Sequence, residues 1–67
     1  METAIFVSET KAILLAEAME NRFTDVEHTS VQRSIIRGQM KGYKVKIVWT
    51  DGRWGYMTDD QVENLEG

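Results

Sequence analysis

The sequence predicts a single small α+β domain: a short N-terminal strand, two helices, a β-hairpin and a short C-terminal helical turn. Three observations carry this expectation. Residues 43–57 alternate apolar and polar side chains around an Asp-Gly pair, the pattern of a half-buried hairpin. Ala12, Leu15, Ala16, Met19 and Phe23 fall within one arc at helical spacing. Thr58 and Gln61 have the spacing of a reciprocal helix cap.

The chain has 67 residues, of which 42% are hydrophobic and 28% charged. That is room for one domain with a small core, in a globular rather than a disordered composition. There is no Cys, so neither a disulfide nor a Cys-based zinc site staples it. No apolar run reaches the roughly 18 residues of a membrane span. The first residues lack the basic start and apolar centre of a signal peptide. A cytoplasmic location is therefore expected.

Within residues 3–7, Ala4-Ile5-Phe6-Val7 forms a short apolar opening. As a strand it would give the hairpin a third partner, since a lone hairpin is marginal in water. Ser8 is a good helix N-cap and Glu9 suits the positive end of the helix dipole. The first helix is expected to end near Arg22. Leu14 and Ala18 widen its apolar arc, while Ile13, Glu17 and Glu20 lie on the opposite flank.

A polar connection leads to a second helix over residues 30–39, capped by Thr29 or Ser30. Gly38 and Gly42 are candidates for its C-terminal stop. Val31, Ile35 and Gly38 align on this helix, and Ile36 with Met40 forms a second apolar stripe. Arg33, Arg37 and Lys41 make a basic stripe between them, four residues apart. Two apolar stripes on so short a helix imply burial on two sides, or one buried face and a partner surface.

In the hairpin, Tyr43, Val45, Ile47 and Trp49 alternate with Lys44, Lys46 and Val48. With Asp51-Gly52 as a two-residue type I′ loop, Trp49 pairs with Trp54 and Ile47 with Tyr56. Tyr43, Val45, Ile47, Trp49, Trp54 and Tyr56 would then share the buried face. Lys44, Lys46, Val48, Arg53 or its neighbours, Gly55 and Met57 would lie opposite. A bulge, for which Gly55 is a suitable site, would alter this pairing. After the hairpin, Val62 and Leu65 would be the apolar residues of the final helical turn.

The stretch Val45-Lys46-Ile47-Val48-Trp49-Thr50-Asp51-Gly52-Arg53-Trp54-Gly55 resembles the twisted, aromatic-bearing hairpins of SH3- and Tudor-type modules. The likeness covers about a dozen residues, and the helices ahead of it depart from a five-strand barrel, so no family is assigned.

No catalytic constellation stands out. His28 is the sole histidine, and its neighbour in sequence, Ser30, does not make a triad. Asp59, Asp60 and Glu63 lack the alternating ligand spacing of a calcium loop, and a helix start explains the first two. Residues 38–42 are not a phosphate loop. The sequence thus reads as a non-enzyme with no cofactor and no metal.

Net charge is −3, but the charges are segregated. Residues 1–28 carry six acids against Lys11 and Arg22, residues 33–53 carry six bases against Asp51, and the tail adds Asp59, Asp60, Glu63 and Glu66. The candidate partner-binding residues are Arg33, Ile36, Arg37, Met40, Lys41, Lys44 and Lys46. The expected function is a small protein-interaction or regulatory module, of bacterial or phage type by its size, with a homodimer as one way to cover the second apolar stripe. The alternative is nucleic-acid binding by the basic patch, with Trp49, Trp54 or Tyr56 stacking on bases if exposed. A helix followed by a hairpin also has the element order that ends a winged-helix domain. Against that alternative, Glu17 and Glu20 would neutralise Arg33 and Arg37 from the first helix.

Overall fold

The computed structural model describes residues 5–66. The element order is α1 (Glu9–Arg22), β1 (Val26–Ile36), β2 (Gln39–Trp49), β3 (Trp54–Tyr56) and α2 (Asp59–Glu66). The strands form one antiparallel sheet in the order β1-β2-β3.

Ser8 caps α1 as expected, its Oγ accepting from the Lys11 N–H at 3.3 Å. Ala12, Leu15, Ala16 and Met19 are its buried residues. Phe23 is not among them. It is the C-cap, in extended backbone, and its ring is exposed, because the helical phase that would carry it to the core has ended.

The second helix does not exist. Residues 26–36 are the edge strand β1, paired along their length with β2. Val31 and Ile35 are four apart, which satisfies both a helical face and a strand face. The segment contains Thr29, Val31, Ile35 and Ile36 but no Ala or Leu, so β-branched packing on a pleated surface decides the outcome. Arg37 and Gly38 are the two residues between the strands, with φ of 54° and 76°. Positive φ at both makes this a type I′ hairpin turn, whereas the sequence reading placed Arg37 on a helix stripe.

Two irregularities shape the long hairpin. Glu27 is an extra residue in β1 between the Val26 and His28 pairings, and Lys41 is an extra residue in β2 opposite the Ser34–Ile35 step. Gly42, beside the second bulge, has φ 130°. A Cβ there would lie 3.1 Å from the Val7 carbonyl oxygen, so glycine permits both the backbone angle and the close approach.

The N-terminal segment is less than a strand. Val7 makes an isolated bridge with Tyr43, and the Ile5 N–H donates to the Met57 carbonyl at 3.2 Å. Ala4, which the strand expectation included, lies outside the described residues. These contacts and β3 share one edge of β2.

Residues 50–53 lie between β2 and β3, and Trp49 with Arg53 closes a loop over residues 50–52. The Gly52 N–H donates to the Trp49 carbonyl at 3.0 Å and the Trp49 N–H to the Arg53 carbonyl at 2.8 Å. With Gly52 at φ 91°, this is a three-residue loop of the type I plus G1-bulge kind. The expected two-residue loop is therefore one residue too short. Val48 pairs with Trp54, Ile47 with Gly55 and Lys46 with Tyr56. A shift of one residue turns every side chain of the return strand to the other face. Met57, expected outside, is fully buried; Trp54, expected inside, is 60% exposed.

Helix α2 starts as predicted. The Thr58 N–H donates to Gln61 Oε1 at 2.9 Å and the Gln61 N–H to Thr58 Oγ1 at 3.4 Å, a reciprocal cap. Leu65 is buried in the core and Val62 packs against it. Lys11 and Glu66 join the two helices by an ion pair at 3.1 Å. The core is Ala12, Leu15, Ala16, Met19, Val26, Val45, Ile47, Met57 and Leu65, with Val31, Tyr43 and Trp49 packed against it. Helix α1 thus covers the Val45/Ile47 face of the sheet, and α2 packs against α1 and adds Leu65 to the core. No helix among the described residues is long and apolar enough to cross a membrane.

Candidate functional site

The other face of the sheet carries no helix. Register and alternation place its side chains in rows. His28, Val48 and Trp54 form one row, Ser30, Lys46 and Tyr56 the next, and Gln32 with Lys44 the third.

Within these rows the aromatic and basic groups are joined. The Trp54 and Tyr56 rings meet edge to face, with centroids 5.9 Å apart and planes at 86°. Lys44 Nζ lies 4.2 Å from the Tyr56 ring centre and Lys46 Nζ 4.7 Å from that of Trp54. Both are cation–π distances, and an ammonium over a ring is held without being neutralised. The Tyr56 hydroxyl also reaches Gln32 Oε1 at 3.5 Å.

The surface is therefore positive and aromatic. None of its eight positions is a carboxylate. Ion pairs among the described residues are Lys11–Glu66 and Arg53–Asp51, so neither Lys44 nor Lys46 has a counter-charge within 4 Å. Glu20 does not neutralise Arg33 or Arg37; it accepts a hydrogen bond from Thr29 Oγ1 at 2.7 Å. The acids of α1 and α2 lie in the helical layer, behind the sheet.

One end of the face is pinned by the β2–β3 loop. The Arg53 N–H donates to Asp51 Oδ1 at 3.0 Å and its Nε to Asp51 Oδ2 at 2.6 Å. These contacts, the backbone hydrogen bond first, hold the Asp51 carboxyl below the ordinary aspartate range. Arg53 is thereby committed to the loop.

The sequence-predicted basic patch is divided. Lys44 and Lys46 lie on the open face. Arg33 lies on the opposite, helix-bearing face, where it pairs with Tyr43 and borders a groove with Glu9, Ile13 and Val31. Arg37 is in the type I′ turn, and Lys41 at the bulge donates to Gln39 Oε1 at 3.3 Å. Ile35 and Met40 pair on one side of the hairpin tip and Ile36 with Gln39 on the other. All three apolar side chains are exposed.

Tyr43, Val45, Ile47 and Trp49 do share the covered face. Trp54 and Tyr56 move from that group to the open face, and Ser30, Gln32 and His28 join them there. The signal available in the sequence was Gly52 as the third residue of a three-residue loop, with Met57 as the apolar residue of the return strand. No group of three or more metal-ligating side chains occurs among the described residues.

This geometry defines a class: an antiparallel sheet covered on one face by α1, against which α2 packs, and presenting a basic, aromatic second face. Comparison of the chain with protein-family models, curated proteins and solved structures gives no match.

Proposed function

We propose that the protein is a non-enzymatic, cytoplasmic nucleic-acid-binding module that takes single strands on its open sheet face. The observation that carries this reading is the Trp54–Tyr56 ring pair, Trp54 exposed and Tyr56 half-buried, flanked by Lys44 and Lys46 among eight positions of which none is a carboxylate. Aromatic faces stack on unpaired bases, at about 1–3 kcal/mol per base, while lysines track the phosphates. The bases of a duplex are already stacked on each other and offer no such face. The hydroxyl and amide groups of Ser30, Tyr56 and Gln32 can hydrogen-bond base edges or sugars.

The protein-interaction reading keeps its own support in the exposed Ile35, Ile36 and Met40 at the hairpin tip. It needs a different surface, so the two readings are separable.

The test is an amide- and indole-resolved NMR titration with short single- and double-stranded DNA and RNA at two salt concentrations. Shifts at the Trp54 indole, Tyr56, Lys44 and Lys46, strongest for single strands and weaker with salt, are expected. A silent titration, or shifts confined to the hairpin tip, would overturn the proposal.

A further inference from the structure

The groove beside Arg33 is a consequence of unequal lengths. Strands β1 and β2 have 11 residues each, roughly 35 Å at about 3.4 Å per residue. Helix α1 has 14, about 21 Å at about 1.5 Å per residue. One helix cannot cover the strands, and the hairpin extends past it as an arm. On the helix side of that arm, alternation continues the Val31–Arg33 row to Ile35, which pairs with Met40. Both are more than half exposed, and Ile13 on α1 is 44% exposed. Between helix and arm lies an open groove of about 440 Å³, lined by Glu9, Ile13, Val31, Arg33 and Tyr43.

We propose that a second copy of this chain occupies the groove, each protomer laying the Ile35/Met40 side of its arm against α1 of the other. The charges are self-complementary. The helix wall carries Glu9 and, two turns on, Glu17; the arm carries Arg33, Arg37 and Lys41. Among the described residues none of these five side chains has an ion pair within 4 Å. A two-fold axis sets the acidic helix of each protomer against the basic arm of its partner, with Ile13, Ile35 and Met40 buried between them. A surface that carries both halves of its own complement is what an isologous dimer requires. The open face stays free, so the proposal is independent of the nucleic-acid reading.

Sedimentation equilibrium on the full chain tests it, with variants checked for native circular dichroism. The wild type is expected to dimerise, and Met40→Asp, exposed in the monomer, to weaken association by more than about tenfold. Arg33→Glu is expected to do the same, and Arg33→Glu combined with Glu9→Arg to restore dimers. Trp54→Ala is expected to leave association unchanged. A monomeric wild type throughout the concentration range overturns the proposal. So does a dimer indifferent to both Met40→Asp and Arg33→Glu, or one dissociated by Trp54→Ala.

Discussion

The two faces of the sheet differ although the same strands build both. On the covered face, Val45, Ile47 and Met57 are at most 1% exposed in the core closed by α1, with Leu65 of α2. On the open face, one residue away along each strand, Lys44, Lys46, Trp54 and Tyr56 meet solvent to varying degrees. The buried centre of the covered face is aliphatic and sulfur-bearing, and it holds the fold. The open face carries Trp54 and Tyr56 with Lys44 and Lys46, while Tyr43 and Trp49 pack at the margin of the covered core. The comparison teaches that large aromatic residues in a small protein are not automatically its core. Aliphatic volume closes this core, and the tryptophan that is most exposed lies where stacking is available.

The difference can be broken most directly at the loop that sets it. Deleting Arg53 while keeping the Thr50-Asp51-Gly52 loop would set Trp54 opposite Trp49 in place of Val48 and swap Met57 with Trp54 and Tyr56. Expelling Met57 alone should cost about 2–5 kcal/mol, so the variant is expected to be largely unfolded by circular dichroism. Next, Ile47→Ala on the covered face should cost about 2–5 kcal/mol in urea unfolding. Trp54→Ala on the open face should change stability by no more than about 0.5 kcal/mol, while weakening single-strand binding by about 1–3 kcal/mol. Equal stability losses for the two would erase the distinction between the faces.

A smaller effect is expected from Gly52→Ala. At φ 91° an L side chain strains the backbone by about 1–2 kcal/mol, with no clash, since nothing lies within 4 Å of the added Cβ. The melting temperature should fall while the sheet register, read from cross-strand nuclear Overhauser effects, stays the same. Smallest is the pH response of the loop. The lowered pKa of Asp51 means the folded state favours its carboxylate. That contribution is complete above the unfolded pKa, near 3.9, and is lost as pH falls through the lower folded value. Shift changes at the Arg53 amide on acidification should then titrate below about 3.9; a midpoint above it would contradict the hydrogen-bonded loop.

Much of this was legible in the residues, and the failures have causes. The caps at Ser8 and at Thr58/Gln61 are local hydrogen-bonding devices, so spacing alone located both helices. The β2 alternation survived because Tyr43, Val45, Ile47 and Trp49 keep an unbroken period of two, which would scatter them to opposite sides of a helix. The segment around Val31, Ile35 and Ile36 was misread because its apolar spacing fits both periods and the Arg37-Gly38 turn lacks the usual Asn-Gly. The candidate site was half legible. Lys44 and Lys46 were found, but Arg33 was grouped with them by a helix that is not there. Trp54 and Tyr56 were assigned to the wrong face by a single residue of loop length.

What the sequence determined by itself is the α+β class, two capped helices, the β2 alternation and the acid–base–acid order of charge. These depend on contacts within a few residues, where composition and spacing act directly. Only the tertiary structure decided that residues 26–36 are a strand, since that choice rests on pairing with β2 and cover from α1. It also decided the β3 register, because a two- and a three-residue loop are locally similar and the burial of Met57 selects between them. Which side chains meet solvent follows from that selection, and so does the surface on which the proposed function rests.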